Sequence, residues 1–288
     1  YEAAVRRVLE YIRAGDVFQV NLAHRLTASF DGSARECFAC LLDAMGPWCA
    51  AYVESPSHGR AAISLSPELF LQYDPRDRRV ATRPIKGTRP LDESNRAIRD
   101  LLASAKDQAE LVMIVDLMRN DLGRVCDFGT VRVVEPRAIE THGGLGPHRG
   151  SAVAHAVATI EGRLRQGLTV ADLIAASFPP GSITGAPKIR AMQIIDELEP
   201  VRRALYTGSL GWLGDDGAAL LNVAIRTAMV SADSSVPHPR RDHIEGTIDY
   251  SVGAGIVADS DPAAEYEETM HKAAGFISAL APEPAHSS

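Results

Sequence analysis

Glu68-Leu69-Phe70-Leu71-Gln72-Tyr73, Asp74-Pro75-Arg76-Asp77 and Arg79-Val80-Ala81-Thr82-Arg83 read as strand, turn and strand. The second strand runs straight into Pro84-Ile85-Lys86-Gly87-Thr88-Arg89-Pro90. Pro84 locks its own φ and biases Arg83 toward an extended conformation, while Gly87 lets the backbone pass close to a neighbour or a ligand. The Lys86 ammonium is thus delivered from a constrained segment. An amine held there becomes a nucleophile where desolvation or a nearby cation, such as Arg83 or Arg89, disfavours its protonated form. A lone lysine in a turn is otherwise a solvated surface charge. The weight on Lys86 therefore depends on what the rest of the chain presents.

Upstream, Val5, Val8, Leu9 and Ile12 recur at helical spacing, and Ala14-Gly15-Asp16 closes that helix. Residues 17–22, 50–54 and 61–65 read as strands, with a short helix near 34–45. Downstream, a single long helix is expected from about Asn95 to Asn120, then strands near 130–134 and 156–163. The glycine-rich Gly143-Gly144-Leu145-Gly146-Pro147 between them lacks the ending and the framing of a phosphate loop. A helix near 170–177, a loop from Pro179 to Pro187 and a helix stopped by Glu199-Pro200 follow. Strands are expected at 206–213, 218–230 and 248–258, with 232–245 as a surface excursion, before a last helix from Pro262 to about Leu280.

The 288 residues, 45% of them hydrophobic, support a substantial core in a single domain spanning 1–288. No apolar run approaches the roughly 18 residues needed to span a bilayer, and no signal-peptide pattern opens the chain. A cytoplasmic protein without a membrane partner is the expectation. The first residue is Tyr1, so an N-terminal region of the natural chain is expected to be absent. A net charge of -7 disfavours nucleic acid as a partner, and the pairs Arg202-Arg203 and Arg240-Arg241 are too short to suggest one. Cys37, Cys40, Cys49 and Cys126 are too few for a disulfide scaffold, and Cys37-Phe38-Ala39-Cys40 lacks a second pair for zinc.

Two helices present carboxylates. Asp261 and Pro262 suit the start of the last helix, on which Glu265, Glu268 and Lys272 share a face. Taken alone, that pattern is a solvated face with an i,i+4 ion pair between Glu268 and Lys272. Glu110 precedes an apolar turn, Leu111 to Val115, so it is expected to be buried and to need a cation, donors or a proton. Carboxylates from two helices, with water and an anionic substrate, would bind magnesium in its usual manner.

The motifs Gly15 to Leu22, Ser66-Pro67-Glu68, Pro84 to Thr88, Asp116 to Asp121, Gly181 to Lys188 and Glu265 to Thr269 together resemble the chorismate-utilising enzymes. That family includes anthranilate, aminodeoxychorismate, isochorismate and salicylate synthases, and the resemblance spans essentially the whole chain. It implies an α+β fold, a two-sheet β-sandwich core flanked by helices with the site between the halves. Within the family, aminodeoxychorismate synthases typically carry Lys at position 86, where anthranilate synthases carry Ala. Isochorismate and salicylate synthases place a general-base lysine where this chain has Gln19, which cannot take a proton from water. The pair resembles aminodeoxychorismate synthase component I.

The resemblance further implies Mg2+ on Glu110 and Glu268, with Glu265 as an additional or outer ligand, and Glu68 as general acid and base. His155 would sit near the departing hydroxyl, although its flanking alanines depart from the usual pattern. Arg226 would hold the enolpyruvyl carboxylate of chorismate, and Thr88, Tyr206, Gly253, Gly255 and Lys272 would contact substrate. Ammonia would come from a glutamine amidotransferase, as a subunit or a fused domain. Alternatives are anthranilate synthase component I, or a non-catalytic chorismate-binding or subunit-docking module, against which the four intact residues Glu68, Lys86, Glu110 and Glu268 argue.

Overall fold

A computed structural model of the chain describes residues 1–91, 94–142, 152–233 and 243–280. Two antiparallel sheets form its centre. The first has the order β2-β3-β12-β13-β1-β9, built from β1 (Gln19–Gly32), β2 (Cys49–Ser55), β3 (Arg60–Ser66), β9 (Gly185–Ala186), β12 (Thr227–Ala232) and β13 (Ile244–Ile256). The second has the order β10-β11-β4-β5-β8-β6, from β4 (Leu69–Asp74), β5 (Arg79–Arg83), β6 (Ile85–Pro90), β8 (Val153–Arg163), β10 (Gly211–Leu213) and β11 (Ala219–Asn222), with β7 (Arg132–His142) also paired to β8. The helices are α1 (Glu2–Arg13), α2 (Ala34–Met45), α3 (Arg96–Ala103), α4 (Ala105–Gly123), α5 (Val170–Ser177), α6 (Lys188–Leu198) and α7 (Pro262–Leu280). The mixed fold of helices and two antiparallel sheets is the one expected.

Several boundaries differ from the sequence reading, each for a local reason. The long helix is two, because Ser104 takes an extended ψ of 106° and its hydroxyl accepts a hydrogen bond from the Asp107 N–H, capping α4. Strand β1 runs ten residues beyond its expected end at Leu22, since β13 pairs with it as far as Gly32. Polar residues on the exposed side of that half, such as Thr27 and Ser29, hide the strand from an apolar-run reading. His155 lies inside β8, which begins earlier than expected. Residues 206–210 are not strand, and the expected strand 218–230 breaks at 223–226, where Arg226 has a left-handed φ of 48°. The glycine-rich Gly143 to Pro147, Arg240-Arg241 and most of the 232–245 segment lie outside the described residues.

The apolar clusters lie on the outer faces of the sheets. Leu111, Ile114, Met118 and Leu122 of α4 pack on Ala154, Ala156, Ala158 and Ile160 of β8. On the first sheet, α2 and α7 cover Ile63, Val230, Tyr250 and Val252, while α1 and α6 cover Val20, Leu22, Ala254 and Ile256. Strand alternation then turns Gln19 and Asn21 of β1, and Gly253 and Gly255 of β13, away from those helices. Buried polar side chains link the sheets instead. The Asn222 amide donates to Ser64 Oγ at 3.2 Å, and the Ser66 hydroxyl donates to the Val223 carbonyl at 2.6 Å. An interior lined this way suits a polar ligand.

Candidate active site

Lys86 owes its direction to a β-bulge. On β6, Lys86 stands opposite Ala156 and Thr88 opposite His155, so Gly87 is the extra residue, with a φ of 80°. Neighbouring residues of β8 face opposite ways, so the bulge sends Lys86 and Thr88 to different sides of the strand. Lys86 Nζ meets Glu110 Oε2 of α4 at 3.6 Å, and the two side chains are only 12% and 14% exposed. Arg83 and Arg89 are engaged elsewhere: Arg83 with Glu140 and Thr159, Arg89 with Asp107 and the Thr88 carbonyl. The ion-pair partner of Lys86 among the described residues is thus an anion.

Gly255 makes room for the amine. A Cβ there would stand 2.6 Å from Gln19 Nε2 and 3.2 Å from Lys86 Nζ. Gln19 is fully buried, and neither end of its amide has a hydrogen-bond partner among the described residues. Such a group costs about 1–3 kcal/mol when unsatisfied, so it points to an occupant of the site.

Glu68, between β3 and β4, is 3% exposed. Burial pushes its carboxyl up to about 7, against the opposing influence of the Ser182 hydroxyl, the Lys86 ammonium and the Ile85 N–H. A carboxyl poised there can both give and take a proton near neutral pH.

The other candidate glutamates lie on α4 and α7, and the charge of Glu268 is felt by Glu110. Burial raises the Glu110 carboxyl, Lys86 and Lys106 oppose that, and Asp107 and Glu268 add to it. For Glu268, burial is outweighed by Lys272, Lys106 and Lys86, and its carboxyl is held below the usual range. Lys272 Nζ lies 2.7 Å from Glu268 Oε1 and donates to the Gly253 carbonyl at 2.9 Å, so the pair expected from i,i+4 spacing forms beside the site. Glu265 Oε1 accepts from Ser260 Oγ at 2.6 Å and faces Lys106 Nζ at 3.5 Å. Among the described residues no three acidic, His or Cys side chains are gathered into a ready metal cage. Two like-charged oxygen donors nonetheless suit Mg2+, which keeps waters and takes a substrate anion.

Thr88 Oγ1 and His155 Nδ1 are 2.8 Å apart. Burial first, then the positive field of Arg226 and His142, push the His155 imidazole down to about 2, so the ring is neutral. Its Nε2 has no partner among the described residues. Arg226, at the break between β11 and β12, is also shifted downward by burial. A left-handed non-glycine residue is strained by about 1–3 kcal/mol, a feature that clusters at functional sites. The Tyr206 hydroxyl lies 3.1 Å from where a Gly253 Cβ would be. Lys86, Glu68, Glu110, Glu268 and Lys272 therefore form one electrostatic neighbourhood, and Thr88, His155 and Arg226 a second.

Some motif residues prove to be supports. Lys188 Nζ lies 2.5 Å from Asp121 Oδ2 and donates to the Ser177 carbonyl at 3.0 Å, tying α4 to α6. Gly185 packs against β1, where a Cβ would come within 2.1 Å of the Gln19 carbonyl. Two participants were missed in the sequence. Lys106 lies one turn before Glu110, and that i,i+4 spacing was a signal. Ser182 sits beside Glu68, with no local pattern to announce it.

The chain belongs to the chorismate binding enzyme family, whose model matches residues 1–278. It is 43% identical over 284 residues to anthranilate synthase component 1 of Thermus thermophilus, covering 97% of this chain and 56% of that protein. It is also 43% identical over 277 residues to aminodeoxychorismate synthase component 1 of Escherichia coli, covering 94% of this chain and 55% of that one. The crystal structure of anthranilate synthase component I from Streptococcus pneumoniae superposes with a TM-score of 0.79 at 32% identity, covering 96% of this chain and 56% of that one. The chain spans about half the length of these relatives.

Proposed function

We propose that this chorismate binding enzyme aminates chorismate at ring carbon 4 through a covalent bond to Lys86, as an aminodeoxychorismate synthase. The observation that carries the reading is the Lys86 amine, held in a buried position between Glu110, Gln19 and the Cβ-free Gly255. After its ammonium gives up a proton to solvent, the Lys86 amine attacks ring carbon 2 as the double bonds shift and the carbon 4 hydroxyl leaves; Glu68 gives that hydroxyl a proton, so it departs as water. Ammonia then forms a bond to carbon 4 while the carbon 2 bond to Lys86 breaks, and the amine is restored. Arg226 orients the enolpyruvyl carboxylate with its planar, bidentate donors. Neutral His155 presents Nε2 without adding charge. Glu110 and Glu268 would hold Mg2+, which supplies positive charge for the ring carboxylate. Ammonia would be delivered by a glutamine amidotransferase.

A second reading is anthranilate formation, favoured by relatives of that name at the same 43% identity. Mass spectrometry of products from purified protein, chorismate, Mg2+ and ammonium separates the two. Aminodeoxychorismate supports the first reading; anthranilate overturns it and places amination at carbon 2.

A further inference from the structure

Each glutamate of the carboxylate group is met by a lysine. Lys86 lies 3.6 Å from Glu110, Lys106 3.5 Å from Glu265 and Lys272 2.7 Å from Glu268. Three negative and three positive charges thus balance before any cation arrives. Lys86 and Lys272 have roles above; Lys106 has none. It projects from α4 to reach Glu265 on α7, and those helices pack on different sheets. Beyond the Glu265 pair, Glu110 and Glu268 also act on the Lys106 ammonium. The Lys106 side chain is 53% exposed while that of Glu265 is 5% exposed, so the lysine can withdraw its head into water without disturbing either helix.

We propose that Lys106 is a resident counter-cation: its ammonium pairs with Glu265, offsets the charge of the Glu110 and Glu268 carboxylates in the substrate-free protein, and yields its place to a divalent cation. Lys106 thereby sets metal affinity and takes no part in bond making. The proposal rests on the reading of Glu110 and Glu268 as metal ligands. A dication approaching these carboxylates meets the like charge of Lys106, and the repulsion is relieved when the ammonium swings out. Removing that charge while keeping the apolar stem strengthens metal binding.

The test is titration of the substrate-free protein with Mn2+, followed by electron paramagnetic resonance of the free ion. Lys106→Met is expected to bind Mn2+ about tenfold more tightly than the parent protein, and Lys106→Arg to stay within about twofold. Lys106→Gln gives the same direction as Met and replaces it should the Met variant fold poorly. Equal or weaker Mn2+ affinity in the neutral variants overturns the proposal while leaving the ligand reading intact. Absence of Mn2+ binding in every protein, with or without chorismate, overturns the ligand reading and the proposal with it.

Discussion

Lys86 Nζ stands 3.6 Å from Glu110 Oε2, with both side chains largely out of solvent. The contact joins strand β6 to helix α4 at the point where the Gly87 bulge redirects the chain. It puts an amine beside a base-capable oxygen, and each offsets part of the other's charge in a largely buried setting.

Replacing Lys86 by Ala is expected to lower formation of the proposed 4-amino product by about tenfold or more, or to redirect amination, because the proposed covalent route is lost. The fold should survive, since Lys106 still lies near Glu110. Product mass spectrometry and circular dichroism check the two halves; an unchanged rate and product would remove Lys86 from the mechanism.

Glu68 links pH to stability. Its carboxyl rises from an ordinary 4.5 to about 7 in the fold, so between those values the folded chain holds a proton that the unfolded chain has released. Stability therefore falls as pH rises from about 4.5 to 7 and levels off above, with ionisation costing about 3 kcal/mol in all. Glu68→Gln should unfold in urea at a higher midpoint than the parent at pH 8, match it near pH 4, and lose about 10²- to 10⁴-fold in turnover. A lower midpoint at pH 8 would show that the ionised carboxylate is stabilised by its neighbours.

Gly255→Ala separates space from stability. The new Cβ would crowd Gln19 Nε2 at 2.6 Å and Lys86 Nζ at 3.2 Å. Turnover should drop while the melting temperature changes little, because both neighbours are ends of flexible side chains. Gly275→Ala is the control. It lies in α7 with nothing within 4 Å of the added carbon, and should gain about 0.5–1 kcal/mol without altering kinetics.

The Asp121 and Lys188 pair should behave as a support. Asp121 is 3% exposed, so Lys188→Met leaves its carboxylate with only the more distant Arg124 guanidinium, 3.9 Å away, at an expected cost of about 3 kcal/mol or less. Chemical denaturation would register that loss, and chorismate binding by the remaining folded protein should be nearly unchanged. A selective loss of binding would instead move this pair into the site.

Helices α1, α2, α5, α6 and α7 and the β4-β5 hairpin were legible from apolar period, caps and turn residues, because those signals are carried by adjacent residues. The helix break at Ser104 was missed because a single cap can interrupt an apolar pattern that continues on both sides. Gly87 was recognised as permissive, yet the bulge it makes depends on pairing with a strand that begins at Val153.

Residue types and motif order alone therefore determined the family, the candidate acids and bases, and a candidate nucleophilic lysine. Tertiary structure decided which charges meet: Lys86 with Glu110 rather than with an arginine, Lys106 with Glu265 across two helices, and Glu68 in a setting dry enough to raise its carboxyl. Periodicity is a property of one segment, whereas burial and ion pairing arise only when distant segments pack and exclude water between them.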